Sequence, residues 1–382
     1  MPIHMNTPRL LPPCILVLML SGAAANAQQA RTIETRSGPV QVEVLAQSLQ
    51  NPWGMAFLDK ERLLVTERPG RLRIVTLKGE ISAPLKGVPQ VFARGQGGLL
   101  DVALSPDFSK DRLVYLSFAE PGPNSTAGTA LARGRLNANE DTLEDTAILF
   151  RQQPKVDGSQ HFGSRIAFSR DGYVFVTTGD RGKMTPAQDP STHIGAVVRI
   201  ARDGSAPKDN PFIGKAGARS ELWSHGHRNI QGAAIHPQTG ALWLHEMGPR
   251  GGDEVNIARA GKNYGWPLVS WGDHYDGRDI PDPPTRPEFE GSLHVWKPSI
   301  APSGMAFYAG ALFPDWRGSL LAGALVGQGI VRLTLEGERV TGEERIRLGA
   351  RIRDVKIGPD SAVYALTDEG NGKLLRLSPA AK

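Results

Sequence analysis

The side chain best suited to proton transfer is His161, in the run Ser159-Gln160-His161-Phe162-Gly163-Ser164-Arg165. Imidazole is the group most readily poised as a general base near neutral pH. Three arginines, Arg228, Arg351 and Arg353, present planar forks that suit carboxylates and phosphates. Arg351 and Arg353 alternate along an extended segment and therefore point to the same side. Brought together, the three would repel unless an anion lay among them or acids such as Asp253, Glu254 or Asp354 bridged them. The first arrangement implies a ligand with more than one carboxylate or phosphate; the second is structural.

The stretch Gly248-Pro249-Arg250-Gly251-Gly252-Asp253-Glu254 places adjacent acids after a Gly/Pro-rich bend with carbonyls free to turn inward. Calcium takes such mixed carbonyl and carboxylate oxygens, and a solvated acidic turn reads the same way. Glu254 and the region of Tyr264 could close a second site across a hairpin. His225 and His227 alternate on a strand, yet no third ligand stands at zinc-like spacing. His245-Glu246 lacks the second histidine of a metalloprotease helix, and Gly95-Gln96-Gly97-Gly98 lacks the strand-helix context of a nucleotide loop.

Positioning these groups falls to a repeat. Six passages carry a small residue and a hydrophobic step into a β-run: Trp53-Gly54-Met55-Ala56-Phe57, Leu100-Asp101-Val102-Ala103-Leu104, Arg165-Ile166-Ala167-Phe168, Gly232-Ala233-Ala234-Ile235, Gly304-Met305-Ala306-Phe307 and Asp354-Val355-Lys356-Ile357. Turns such as Asp171-Gly172, Thr239-Gly240 and Asp360-Ser361 lead to second strands, as in hairpins. The aligned positions lie 47 to 72 residues apart, about one four-stranded blade each. The expected fold is all-β, a six-bladed β-propeller with four-stranded antiparallel blades. Loops of equal phase meet around the channel of such a ring. Gln96, His161, Arg228, Asn229, Arg351 and Arg353 share that phase, just ahead of the β-runs.

The amino terminus has Arg9, an apolar stretch from Cys14 to Leu20 and then Ala25-Asn26-Ala27, the pattern of a cleaved secretory signal over residues 1–27. Residues 28–382 then form one propeller domain. No later run approaches the length of a membrane span, so no stable membrane insertion is expected. Cys14 is the single cysteine, and export without disulfides suits a periplasm. The formal net charge of +5 is spread along the chain without aromatic interleaving, which disfavours nucleic acid. A small anionic ligand in a local pocket fits better. The longest loop is read between Asn263 and Pro302, with Pro281, Pro283, Pro284 and Pro287 as breakers.

Six segments together resemble the soluble quinoprotein aldose sugar dehydrogenases of the glucose/sorbosone dehydrogenase family. They are Gln96-Gly97-Gly98-Leu99-Leu100-Asp101, the His161 run, Gly226-His227-Arg228-Asn229-Ile230-Gln231-Gly232, Gly248 through Asn256, Gly261-Lys262-Asn263-Tyr264-Gly265-Trp266-Pro267, and Arg351-Ile352-Arg353-Asp354-Val355. The resemblance implies pyrroloquinoline quinone (PQQ), a planar tricarboxylated ortho-quinone, over the channel with Ca2+. It implies His161 as general base with Arg228 assisting, and Gln96, Arg228, Asn229, Tyr275, Ala324, Leu325, Val326, Arg351 and Arg353 as quinone contacts. It implies the carbonyls of Gly248 and Pro249 as ligands of the cofactor calcium, with Glu254 and Tyr264, the latter through its carbonyl, at a second calcium. An aldose substrate and an electron acceptor of unspecified identity follow.

Three positions depart from the family pattern. Val326 stands where relatives often have a quinone-contacting lysine, and Met247 replaces a more usual polar residue before Gly248. Gln160 stands where the glucose-oxidising branch has an acid, which predicts a less supported base. Two other classes fit a six-bladed ring: a calcium-dependent lactonase-type hydrolase, which needs several carboxylates at its central metal, and a ligand-binding propeller without chemistry.

Overall fold

The computed structural model describes residue 1 and residues 30–380. The leader read over residues 1–27, with Cys14, therefore lies outside the described residues apart from Met1. Six antiparallel sheets follow one another along the chain. Each begins with a strand holding one of the six repeated passages: Pro52–Phe57, Leu99–Leu104, Ile166–Phe168, Ile230–Ile235, Pro302–Phe307 and Ile352–Ile357. These first strands pack against one another in succession, and the last returns to the first. The result is a six-bladed propeller.

The small residues of the repeat are explained by crowding at the axis. A Cβ on Gly54 would lie 2.7 Å from Asp101 Oδ1, one on Gly232 2.1 Å from His245 Nε2, and one on Gly304 2.1 Å from Asp354 Oδ1. The hydrophobic residues that follow fill the wedges between blades. Leu64 and Leu72 of the first blade, for example, meet Val102, Val114 and Leu116 of the second in one fully buried cluster. Burying such side chains contributes about 1.5–3 kcal/mol each.

Four sheets have four strands; the first has three and the last five. In the first, Leu63 to Val75 are paired regularly, but beyond Thr76 the chain returns as an irregular segment, through the Ile81–Val75 bridge and the Ser82 and Leu85 N–H bonds to Ile74 O and Leu72 O. Pro84 and Pro89 follow, and a proline cannot donate to a ladder. In the last, the amino-terminal strand Gly38–Leu49 pairs with the carboxy-terminal strand Gly372–Pro379, and Ala30–Thr35 folds onto its outer edge. The stretch read as one loop between Asn263 and Pro302 is divided, because His294–Trp296 pairs with Asp253–Ile257 as the outer strand of the fourth blade.

One buried side chain ties the centre of the ring. Arg165 is 2% exposed, and its guanidinium lies 3.2 Å from Asp101 Oδ1 and 3.0 Å from Asp354 Oδ1. Its Nε donates to Gln231 O at 2.7 Å and its Nη2 to Arg353 O at 3.1 Å. The Trp53 ring stacks 4.0 Å from it. Five of the six blades meet on this one residue, which forms the floor beneath the channel mouth.

Candidate active site

His161 precedes the first strand of the third blade with a left-handed backbone, φ 54°. Its N–H donates to Gln96 Oε1 at 2.8 Å, so a residue of the neighbouring blade fixes that conformation. Nδ1 lies 2.6 Å from Asp180 Oδ1. Asp180 is buried, with Gly182 N–H donating to Oδ1 at 2.7 Å and Trp266 Nε1–H to Oδ2 at 2.8 Å. Burial would raise the Asp180 carboxyl, but the hydrogen bond and charge of His161, the charge of Arg228 and the Gly182 N–H hold it below the usual carboxylate range. An ionised acceptor on Nδ1 keeps the proton there and leaves the Nε2 lone pair free to accept one.

This corrects the expectation built on Gln160. The supporting acid is Asp180, nineteen residues on. A topological signal for it was available: in an antiparallel hairpin, the residues after the second strand, here Val174–Thr177, return beside those before the first. Asp368, Met247, Leu325 and Arg68 occupy the same position in other blades, each just after a second strand.

Between these loops lies a cavity of about 280 Å³ over the channel. Gln96, Asn229, Leu325, Arg351 and Arg353 line it as expected, joined by Trp53, Arg68, Gln231, Met247 and Asp368. Of the other expected contacts, Ala324 is buried at its strand end, while Val326 and Tyr275 are exposed outside the lining. Tyr275 nonetheless faces the guanidinium of Arg228 at 5.9 Å. Arg228 stands beside the cavity, 7% exposed, donating to Met247 O at 3.0 Å and Gly248 O at 2.6 Å. Its Nε is buried with no partner, and the side chain lines a second pocket rather than this cavity.

The acids paired with the arginines are not those expected from sequence. Arg351 and Arg353 both close on Asp368, at 3.1 and 3.0 Å. Asp354 is bound to Arg165, and Asp253 accepts the amides of Gly248, Ile300 and Ala301. Asp368 is the only acid in the described cavity lining, which disfavours a lactonase-type centre with several carboxylates.

A second, narrow pocket is lined by Arg228, Glu246, Gly248, Pro249, Glu254 and Tyr264 among others. Asp253 staples the bend through three amides, and Gly248 approaches so closely that a Cβ would meet Gly252 O at 2.0 Å. Glu254 faces Glu246 across the strand pair. Burial first, then the Glu246 charge, pushes the Glu254 carboxyl up to about 8. Two acids facing each other in a narrow pocket are the electrostatic condition that a cation relieves. The Tyr264 phenol donates to Ile257 O and its ring stacks on His227 at 4.4 Å, so its carbonyl remains as the oxygen it can offer. His227 is itself engaged by Glu246 and Ser224 at 2.8 and 2.9 Å. Among the described residues no group of three His, Cys, Asp or Glu side chains is placed to hold a metal, so main-chain oxygens would have to complete a cation site around the two carboxylates.

The ring thus carries a carboxylate-supported histidine next to lining residues of an arginine-walled cavity over its channel, the make-up of a propeller enzyme. The chain is a member of the glucose/sorbosone dehydrogenase family, whose model matches residues 49–376, and is an oxidoreductase. It is 47% identical over 347 residues to the aldose sugar dehydrogenase YliI of Escherichia coli, covering 89% of this chain and 93% of that protein. The crystal structure of the soluble aldose sugar dehydrogenase of Escherichia coli in its apo form superposes with a TM-score of 0.85 at 46% identity, covering 89% of this chain and all of that one. The PQQ-bound aldose sugar dehydrogenase of Streptomyces coelicolor gives 0.74 at 28% identity, covering 92% and 99%.

Proposed function

We propose that the protein oxidises the C1 hydroxyl of aldose sugars to aldonolactones, with pyrroloquinoline quinone held over the channel and calcium at Gly248 and Pro249. The observation that carries this reading is the His161–Asp180 pair, joined to the arginine-walled cavity through two of its lining residues, Gln96, which holds the His161 N–H, and Phe162, the next residue. The residues present fit the quinone: the cavity combines guanidinium groups with the amides of Gln96, Asn229 and Gln231 and the flat ring of Trp53. When bound, the quinone would supply a two-electron acceptor and calcium a Lewis acid. His161 Nε2 takes the proton of the anomeric hydroxyl while Asp180 stabilises the imidazolium that results. Arg228 offers positive charge to the oxyanion that develops beside it. Arg351 and Arg353, Gln96, Asn229 and Leu325 would hold the flat ligand; Tyr275, Ala324 and Val326, which the family resemblance adds, lie outside the cavity lining.

The leader over residues 1–27 takes the chain to the periplasm, where an acceptor of unspecified identity removes the electrons. Among the described residues no helix is long and apolar enough to cross a membrane.

The test is reduction of an artificial electron acceptor by the purified protein with a panel of aldoses, with and without added quinone and calcium. Turnover that requires both is the expected result. A bound, spectrally visible quinone that no aldose reduces would overturn the substrate assignment. Calcium is also expected to raise the melting temperature, and Glu254→Gln to weaken that response, since the variant removes one carboxylate from the Glu246–Glu254 pair. An unchanged calcium response in the variant would exclude Glu254 as a ligand.

A further inference from the structure

Two of the cavity arginines are partly neutralised before any ligand arrives, since the forks of Arg351 and Arg353 both close on Asp368. Arg68 is different. It lines the same cavity from the end of the strand Arg62–Glu67, and among the described residues no carboxylate pairs with it. Its main chain is anchored on both sides: its N–H donates to Asn51 O, and its carbonyl accepts Leu99 N–H, both at 3.1 Å. Gly98, at φ +135°, lets that carbonyl approach, because a Cβ there would lie 2.1 Å from Arg68 O. The side chain thus leaves a fixed base. Nη1 donates to Gly95 O at 2.6 Å, and Nε is buried with no hydrogen-bond partner. A buried donor of a charged group without an acceptor is unfavourable until something supplies one.

We propose that Arg68 is a carboxylate-binding residue of the central cavity, meeting a carboxyl group of the bound quinone that Arg351 and Arg353, shared with Asp368, leave incompletely balanced. This rests on the quinone reading above. A guanidinium held through one nitrogen on a main-chain carbonyl retains donors for a carboxylate, and its lack of an acid partner leaves its full charge for the ligand. The contact with Gly95 gives it a second consequence. Gln96, the next residue, fixes the backbone of His161, so Arg68 braces the loop that presents the base.

The experiment is equilibrium titration of the calcium-loaded protein with pyrroloquinoline quinone, read by quinone absorbance, in parallel with its trimethyl ester. The wild type is compared with Arg68→Gln, which removes the charge but keeps a donor for Gly95 O. The variant is expected to bind the acid about ten- to a hundredfold more weakly and the ester about equally. Equal affinity for the acid in both proteins would overturn the proposal, as would an equal loss for acid and ester, which would make Arg68 a brace alone. A wild type that binds neither compound removes the quinone reading itself, and this inference with it. Should Arg68→Gln fail to fold, Arg68→Lys replaces it: a loss for the acid alone supports the fork, and unchanged binding rejects it.

Discussion

Replacing His161 by alanine is expected to slow quinone reduction by aldoses by about 10²–10⁴-fold, the range of a positioned general base, with quinone affinity nearly unchanged. Its ring is bonded to Asp180, and only its main-chain N–H is bonded to a wall residue of the cavity, Gln96. Asp180→Asn probes the same step from behind. An amide can offer N–H to Nδ1, moving the ring proton to Nε2 and filling the lone pair that accepts the substrate proton. The loss is expected to approach that of His161→Ala, and the double variant to be little worse than either single one, because the two residues act as one unit. Stopped-flow reduction of the bound quinone checks this directly; near-normal rates in either single variant would remove the pair from the mechanism.

Arg165→Met is expected to cost about 3–5 kcal/mol of stability, the usual consequence of deleting one partner of a buried ion cluster. Methionine keeps much of the volume, so the loss isolates charge and hydrogen bonding. Asp101 and Asp354, 2% and 0% exposed, would lose their common cation. Burial already raises the Asp354 carboxyl against the opposing pull of Arg165. Without Arg165 it rises further, and a carboxyl raised in the folded state stabilises the fold at low pH and loses that contribution as pH rises through its folded pKa. The deficit relative to wild type is therefore larger at pH 7 than at pH 5. Urea midpoints at the two pH values test both points; a wild-type midpoint would show that the cluster is dispensable. Trp53 and Arg353 line the cavity and rest on Arg165, so weaker quinone binding should accompany the loss.

The ring itself was readable in the sequence because its axis imposes a severe local rule. Every blade enters beside the channel, where Gly54, Gly232 and Gly304 are compelled by close neighbours, and that recurrence survives unequal loop lengths. Residues ahead of the first strands, including Gln96, His161 and Arg351, could be placed at one mouth for the same reason. What escaped was the other half of the mouth. Asp180, Asp368 and Arg68 follow second strands, whose ends no periodic pattern marks, so their partners were sought among nearby acids instead. The destination of Arg165 was equally hidden: nothing local reveals that one arginine meets Asp101 and Asp354 from opposite sides of the chain. Tyr275, Ala324 and Val326 rest on family resemblance, and their relation to the cavity is peripheral.

The pairing of Gly38–Leu49 with Gly372–Pro379 has a consequence for how the molecule comes into being. The strand synthesised near the beginning must wait for the strand at the end, with the whole ring made in between. Until then the sixth blade lacks its outer strands and Val40 and Val42 lack the cluster around Trp316 and Leu377 that buries them. Such a long-range contact is slow to form and gains nothing from partial completion. Once formed, it acts as a clasp: the strands Gly38–Leu49 and Gly372–Pro379 hold each other, and neither can peel away without opening the circle.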